Sequence, residues 1–293
     1  MDARTQIRLF ISLCAFSLLM CWTPLLTTFR LALTDDAYTH ILLILPLSTA
    51  LIFSDPKCRD SLSRSFIHRP SLGFGISLLV LSLVIICSAR WIVNVPDRVS
   101  LTMLALVIWW LGAVILCFGI ETFKTFLFPL CFLFLVVPLP PFALSRIIEV
   151  LQQQSAVAAR ILFQVAQVPV TQNGIMLSIP GLDIEVAQEC SSIRSSTILI
   201  VTTMVLAYLL LRSWWRRAVL IAIAIPLSIV KNGFRIFVIA ELGTRVDSGF
   251  LTGSLHRKGG IIFFTLSLVL VSVLIFALRR TELSAPGEVL NSR

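Results

Sequence analysis

The sequence predicts an all-α polytopic membrane protein of about eight transmembrane helices, with an external amphipathic helix and a small β-hairpin ahead of the sixth. Three observations carry this. Hydrophobic residues make up 57% of the 293-residue chain and charged residues only 13%, where soluble domains carry about 25%. Mean hydropathy is +0.96. The apolar residues gather in runs of roughly 20, the length a helix needs to cross a bilayer. A soluble globular enzyme, a disordered chain, a collagen and a coiled coil are all excluded. The chain has 24 Lys and Arg against 15 Asp and Glu, a net charge of +9. In a membrane protein this excess reads as basic cytoplasmic loops rather than nucleic-acid binding.

Runs 9–29, 72–89, 99–120, 190–211, 218–241 and 259–278 are long enough to span. Runs 38–54 and 125–138 are shorter, and the distribution of loop charge requires them. Leu9–Phe29 is longer than a signal-peptide core and has no small-x-small cleavage site after it, so it is expected to be retained. With the N-terminus inside, cytoplasmic segments gather thirteen Lys and Arg, including Lys57, Arg59, Arg64 and Arg69, and external loops gather eight. The positive-inside rule then expects both termini on the cytoplasmic side of the cytoplasmic (inner) membrane. Residues 1–280 are expected to form one integral membrane domain, and 281–293 a polar, disordered cytoplasmic tail.

Pro138, Pro140 and Pro141 end the fifth run, because proline cannot continue a helix. Residues 142–168 alternate at helical spacing, with Leu144, Ile147, Ile148 and Leu151 set against Arg146, Gln152, Gln153 and Gln154. This predicts an amphipathic helix at the outer surface. The alternative, a ninth span, would reverse the first five spans relative to the last three. Ile175, Leu177 and Ile179, then Leu182, Ile184 and Val186, alternate as strands do, with Pro180-Gly181 as the turn. Six of the seven cysteines lie in or beside apolar runs, and Cys58 lies in a basic loop. Their spacing indicates neither a disulfide framework nor a structural zinc.

Ionisable groups inside spans are costly and by default mark function. Four segments hold them. Tyr38-Thr39-His40 opens span two, and Glu189-Cys190-Ser191-Ser192-Ile193-Arg194-Ser195-Ser196 opens span six. Lys231-Asn232-Gly233-Phe234-Arg235 lies late in span seven, and His256-Arg257-Lys258 precedes span eight. At about 1.5 Å per residue, Cys190 lies roughly 33 Å from Arg212, Arg235 roughly 27 Å from Arg217 and His256 roughly 35 Å from Arg279. The hydrocarbon is about 30 Å thick. Three helices therefore bring these groups to the outer interface, and His40 lies at the outer end of its own span.

Cys190 sits at a helix N-terminus, where the macrodipole favours thiolate, and Arg194 one turn on faces the same way. Cys14, Cys21, Cys87, Cys117 and Cys131 read instead as small core hydrophobes. Ser191 and Ser192 are rival nucleophiles or helix caps. His256, flanked by Gly253, Gly259 and Gly260, is either a loop histidine or the acid–base partner of the thiol. Arg235 either snorkels to headgroups or offers a fixed guanidinium to an oxyanion or carboxylate. Lys231 and Asn232, one turn below it, make a polar stripe that favours the second reading. Glu185 and Glu189 could orient a histidine, bind cations or be solvated loop charge. The chief rival from another class is a transporter whose anion path is lined by Lys231, Asn232 and Arg235. That reading expects charge near the bilayer midplane and a sequence repeat. An acyltransferase built on His256 would leave Cys190 without a role. No metal or organic cofactor is implied.

The order Glu189-Cys190-Ser191-x-Ile193-Arg194-Ser195, then Asn232-x-x-Arg235, then His256 resembles the exosortase/archaeosortase family of membrane transpeptidases. Asp36-Ala37-Tyr38-Thr39-His40 is similar to that family's Asp-x-Tyr-Ser-His segment. The apolar run from Phe132 to Pro140 is similar to its run ending in Pro-x-Pro. The likeness covers about residues 35–275. It departs at Ser192 and Ile41, where the family commonly has glycine. The resemblance implies a cysteine protease/transpeptidase acting at the outer face. Its substrates would be exported proteins with a C-terminal tripartite signal: a short motif (typically Pro-Glu-Pro in bacteria), a spanning helix and a basic tail. Cys190 would form a thioester, His256 would handle protons and Arg235 would assist. His40, Tyr38, Glu189, Arg194, Asn232 and Lys231 would support the site or bind substrate. The implied partners are those exported proteins, membrane lipids and an acceptor nucleophile.

Overall fold

A backbone in hydrocarbon must satisfy its N–H and C=O groups internally, so the apolar runs become helices. The computed structural model describes residues 3–56, 71–186, 193–247, 249–252 and 260–283. In chain order the helices are α1 Ala3–Met20, α2 Trp22–Thr34, α3 Ile41–Ser54, α4 Leu72–Ala89 and α5 Val95–Thr125. They continue with α6 Leu127–Phe132, α7 Pro141–Val165, α8 Ile193–Leu210, α9 Trp214–Arg245, α10 Gly249–Thr252 and α11 Gly260–Leu283. Short 3-10 turns cover Asp36–Tyr38 and Leu133–Val136. The strands are β1 Thr171–Asn173, β2 Met176–Ile179 and β3 Leu182–Glu185. Among the described residues, six helical segments are long and apolar enough to cross a membrane, or up to eight if each of two bent pairs is one span. The chain is thus an all-α polytopic membrane protein.

Two of the expected spans differ from the sequence reading. Run 9–29 is broken at Cys21, where α1 and α2 meet at 74°. Pro24, in the first turn of α2, has no N–H to offer the carbonyl of Met20, so the ladder restarts there. Run 125–138 holds only α6 and the 3-10 turn behind it. Those ten residues rise roughly 15–20 Å, about half the hydrocarbon thickness. Run 72–89 coincides with α4. Run 99–120 sits within α5, whose path breaks at Gly119 with φ 84° and ψ 169°, a conformation essentially closed to side-chain-bearing residues.

The chain divides into two compact units, Met1–Leu144 and Ser145–Arg293. In the first, α5 is the central helix. Trp109 donates its indole N–H to the Leu13 carbonyl at 3.0 Å, and Trp110 donates to Ser17 Oγ at 3.1 Å, which ties α1 to α5. Ser82 on α4 donates to the Ala105 carbonyl at 2.7 Å. Val107, Leu111, Val114 and Phe118 form a core with Phe126, Leu130 and Leu133.

In the second unit α8, α9 and α11 pack around Leu199, Ala207, Leu211, Leu220, Val271 and Ile275. The three strands form a meander ordered β1-β2-β3, with Gln172 opposite Leu177 and Leu177 opposite Ile184. The Pro180-Gly181 hairpin appears as expected, with Gly181 at φ 82°. The strand β1 was missed. Its signal was Asn173-Gly174, a pair suited to tight turns, with Gly174 at φ 61°.

The end of α11 is also tied down. One Glu282 oxygen accepts from the backbone N–H groups of Ser213 at 2.7 Å and Arg212 at 3.0 Å, and pairs with the Arg216 guanidinium at 3.4 Å. Ser213 makes no side-chain cap of its own, so a carboxylate from another helix caps the start of α9. Residues 281–283, read from sequence as tail, belong to this helix. Glu282→Ala is expected to destabilise the protein by about 3 kcal/mol, because the pair is almost fully buried. Thermal unfolding in detergent measures this. An unshifted midpoint would show that the contact contributes nothing net.

Candidate active site

The second unit gathers most of the predicted polar residues that fall within the described chain. On α9, Lys231 is 6% exposed and Asn232 1%, so the inner part of the stripe is enclosed by protein. Arg235, one turn further along, is half-buried. Lys231 donates from Nζ to Ser195 Oγ on α8 at 2.6 Å. A charge-assisted bond of that length is stronger than a neutral one. Arg194, next to Ser195, is exposed. Serine at 195 was read as part of the α8 opening, and its partnership with Lys231 was not foreseen. A lone hydroxyl gives no sequence signal for a partner 36 positions away.

Between Asn232 and Phe234, Gly233 lets α7 cross α9 in direct contact. A Cβ there would lie 2.6 Å from Ala158 Cβ and 2.9 Å from the Ala159 backbone nitrogen. The small residues Ser155, Ala156 and Ala159 on α7 are buried together with Phe163. The sequence reading set the amphipathic face by its large residues, Leu144 to Leu151. In the structure no residue of 141–150 is fully buried, and the packed stripe lies in the second half of the helix.

The sheet packs onto the same place. Leu177, Ile179 and Val186 share a core with Ala156, Ala159, Phe163, Ile236 and Ala240. Gln152 Nε2 donates to the Val186 carbonyl at 2.8 Å, and the Val186 N–H donates to the Ile175 carbonyl at 3.0 Å. Residues 187–192 are therefore bounded on one side by the anchored Val186 and on the other by α8, which Lys231 holds. Cys190, Glu189, Ser191, Ser192 and His256 lie outside the described residues.

Tyr38 and His40 belong to the first unit. Tyr38 is 6% exposed, and its hydroxyl donates to the Leu139 carbonyl at 2.9 Å. Ser48 on α3 donates to the Pro129 carbonyl at 2.7 Å. The Asp36–His40 segment and the run ending Pro138-Leu139-Pro140 thus pack together, although 101 positions separate Tyr38 from Leu139. A phenol committed to a carbonyl holds the proline turn in place. His40 is half-buried at the N-terminal end of α3, beside the backbone of Ala37 and Leu135. Among the described residues no group of three or more His, Cys, Asp or Glu side chains could hold a metal ion.

The family described as transmembrane exosortase matches residues 30–273 of the chain. No curated protein and no solved structure matches it.

Proposed function

Because the chain belongs to the transmembrane exosortase family, we propose that it is a membrane cysteine transpeptidase with Cys190 as nucleophile and Arg235 and His256 as its partners. The observation that carries this reading is the register of α8 on α9. Ser195 faces Lys231 at 2.6 Å. Arg235 lies four residues further along α9, and Cys190 precedes Ser195 by five positions in the sequence.

The Cys190 thiolate attacks the scissile carbonyl of the substrate, and the C–N bond then breaks to leave a thioester. Arg235 supports the oxyanion with its forked N–H donors. His256 gives a proton to the leaving amine. An amine or hydroxyl acceptor, or water, resolves the thioester. The substrates are exported proteins ending in a short motif of the Pro-Glu-Pro kind, a spanning helix and a basic tail. The site faces outward from the cytoplasmic membrane, with both termini inside. Glu189, Arg194 and Asn232 support it. A transporter reading would need the Lys231–Arg235 stripe to line a path, but Lys231 and Asn232 are enclosed by protein.

Co-expression with a tripartite-signal substrate tests the reading, and the expected result is loss of the C-terminal helix from the substrate. Absence of processing for every such substrate encoded beside the enzyme would overturn it. Topology has its own test. A cysteine placed at Asp183, exposed in the sheet, should label from outside, and one at Arg64 from inside. Labelling of both from one side would refute the outward-facing site.

A further inference from the structure

We propose that Arg212, Arg217, Arg279 and Arg280 form a binding site for an anionic phospholipid, with the phosphate among the guanidinium groups and an acyl chain along one face of α11. The four residues lie at the opposite end of α9 from Arg235, and none of them is assigned to the transpeptidase reaction.

Charge is unbalanced at this end of the second unit. From Cys190 to Ala240, and again from Ser248 to Thr281, the chain has no Asp or Glu. Glu282 is committed to the Arg216 guanidinium and to the N–H groups of Arg212 and Ser213. Arg216 is only 5% exposed, so that pair is closed off. Around it Arg212, Arg279 and Arg280 stand exposed and Arg217 half-buried. Arg279 and Arg280 lie in the turn of α11 just before Glu282, and Arg212 and Arg217 flank the start of α9 that its carboxylate caps. The four side chains therefore spring from one corner. Arg212, Arg217 and Arg279 make no ion pair among the described residues. A concentration of one sign of charge without its own counter-ions attracts anions from outside.

Two of these guanidinium groups are held in place. Arg217 Nε donates to the Leu211 carbonyl at 2.9 Å, and its guanidinium lies over the Tyr208 ring, 4.8 Å from the centroid. The Arg280 guanidinium lies over the Phe276 ring at 4.5 Å. Residues that only set topology need charge and no fixed geometry. A guanidinium held against a ring is a preorganised fork for phosphate oxygens. The apolar surroundings assign that phosphate to a lipid. Val269, Val273, Phe276 and Arg280 are spaced by four, three and four residues, so they share one face of α11, and all four are exposed. The face runs from apolar side chains into a cation, the order of an acyl chain and its headgroup. Trp214, 79% exposed and two positions from Arg212, carries the amphipathic ring that settles at headgroup level. A soluble phosphate would gain nothing from such a stripe, whereas basic corners between spanning helices suit anionic headgroups.

The test is lipid binding by the full-length protein in detergent, followed by native mass spectrometry, with phosphatidylglycerol and phosphatidylcholine of matched chains as probes. Phosphatidylglycerol should bind the more tightly, on the order of tenfold or more. The double variant Arg279→Gln/Arg280→Gln should weaken phosphatidylglycerol binding on the order of 20-fold and leave phosphatidylcholine binding unchanged, since each basic residue contributes about fivefold. Arg212→Gln keeps the backbone N–H that Glu282 accepts. It should weaken binding about fivefold, and it carries the test if the double variant does not fold. Arg90→Gln/Arg98→Gln removes the same charge at the α4–α5 connection of the first unit and should change nothing. Equal binding of the two lipids by the unaltered protein would overturn the site. So would unchanged phosphatidylglycerol binding in Arg212→Gln and in Arg279→Gln/Arg280→Gln. Equal losses from the two double variants would show bulk attraction to net charge and would overturn it as well. Displacement of phosphatidylglycerol by an equal concentration of inorganic phosphate would reveal a simple anion site and end the lipid assignment.

Discussion

Cys190→Ala is expected to abolish processing of a tripartite-signal substrate while the protein still accumulates in the membrane. Cys190→Ser should recover little. The attacking species is the anion, and a serine hydroxyl is far less ionised than a thiol near neutral pH. The expected loss for alanine is on the order of 10⁴-fold or more, the scale seen when a covalent nucleophile is removed and only binding and oxyanion contacts remain. The alanine substitution removes one sulfur atom from a segment anchored by Val186 on one side and Ser195 on the other, so a folding defect is not expected. Substrate cleavage normalised to enzyme abundance measures the effect. Full activity in Cys190→Ala would withdraw the thioester and turn attention to Ser191 or Ser192.

Arg235→Lys is expected to lose on the order of 100-fold in kcat although the charge is kept. A guanidinium presents parallel N–H donors in a fixed plane, whereas an ammonium is a mobile point charge. Arg235 is half-buried and Lys231 almost fully buried on the same helix. Lys231 is already engaged with Ser195, so Lys231→Gln, which can still donate to that hydroxyl, should cost less. A transporter lined by both residues would respond to both changes alike. Equal losses, or a tolerated Arg235→Lys, would show that charge rather than geometry matters and would end the oxyanion role.

Much of the fold was legible because apolar length and strand alternation act locally. Run 72–89 is α4, and the hairpin turned at Pro180-Gly181 where a fixed φ meets a residue free to take a positive one. The break at Cys21 was not legible. Proline marks it at position 24, but Pro46 and Pro226 lie inside helices α3 and α9, so proline alone does not announce a bend. The half-length α6 was read as a span because the distribution of loop charge required one there. Within the site, the burial of Lys231 and Asn232 followed from the cost of leaving such groups in lipid. Their partners did not. The bond of Lys231 to Ser195, the crossing of α7 at Gly233 and the hold of Tyr38 on Leu139 join distant positions through hydroxyls, small residues and carbonyls, types too common along the chain to signal a contact.

The carboxylate of Glu282 has a bearing on how the protein is made. It closes the turn at Arg212 and Ser213 from 70 and 69 positions downstream. At about 5–20 residues per second, the ribosome supplies it roughly 4–14 s after the turn itself has been synthesised. Throughout that interval the N–H groups of Arg212 and Ser213, just ahead of α9, lack this carboxylate. The helix α11 is then a latch that arrives after the hairpin it closes. A chain cut before position 282 would leave the turn at Arg212 and Ser213 without this carboxylate.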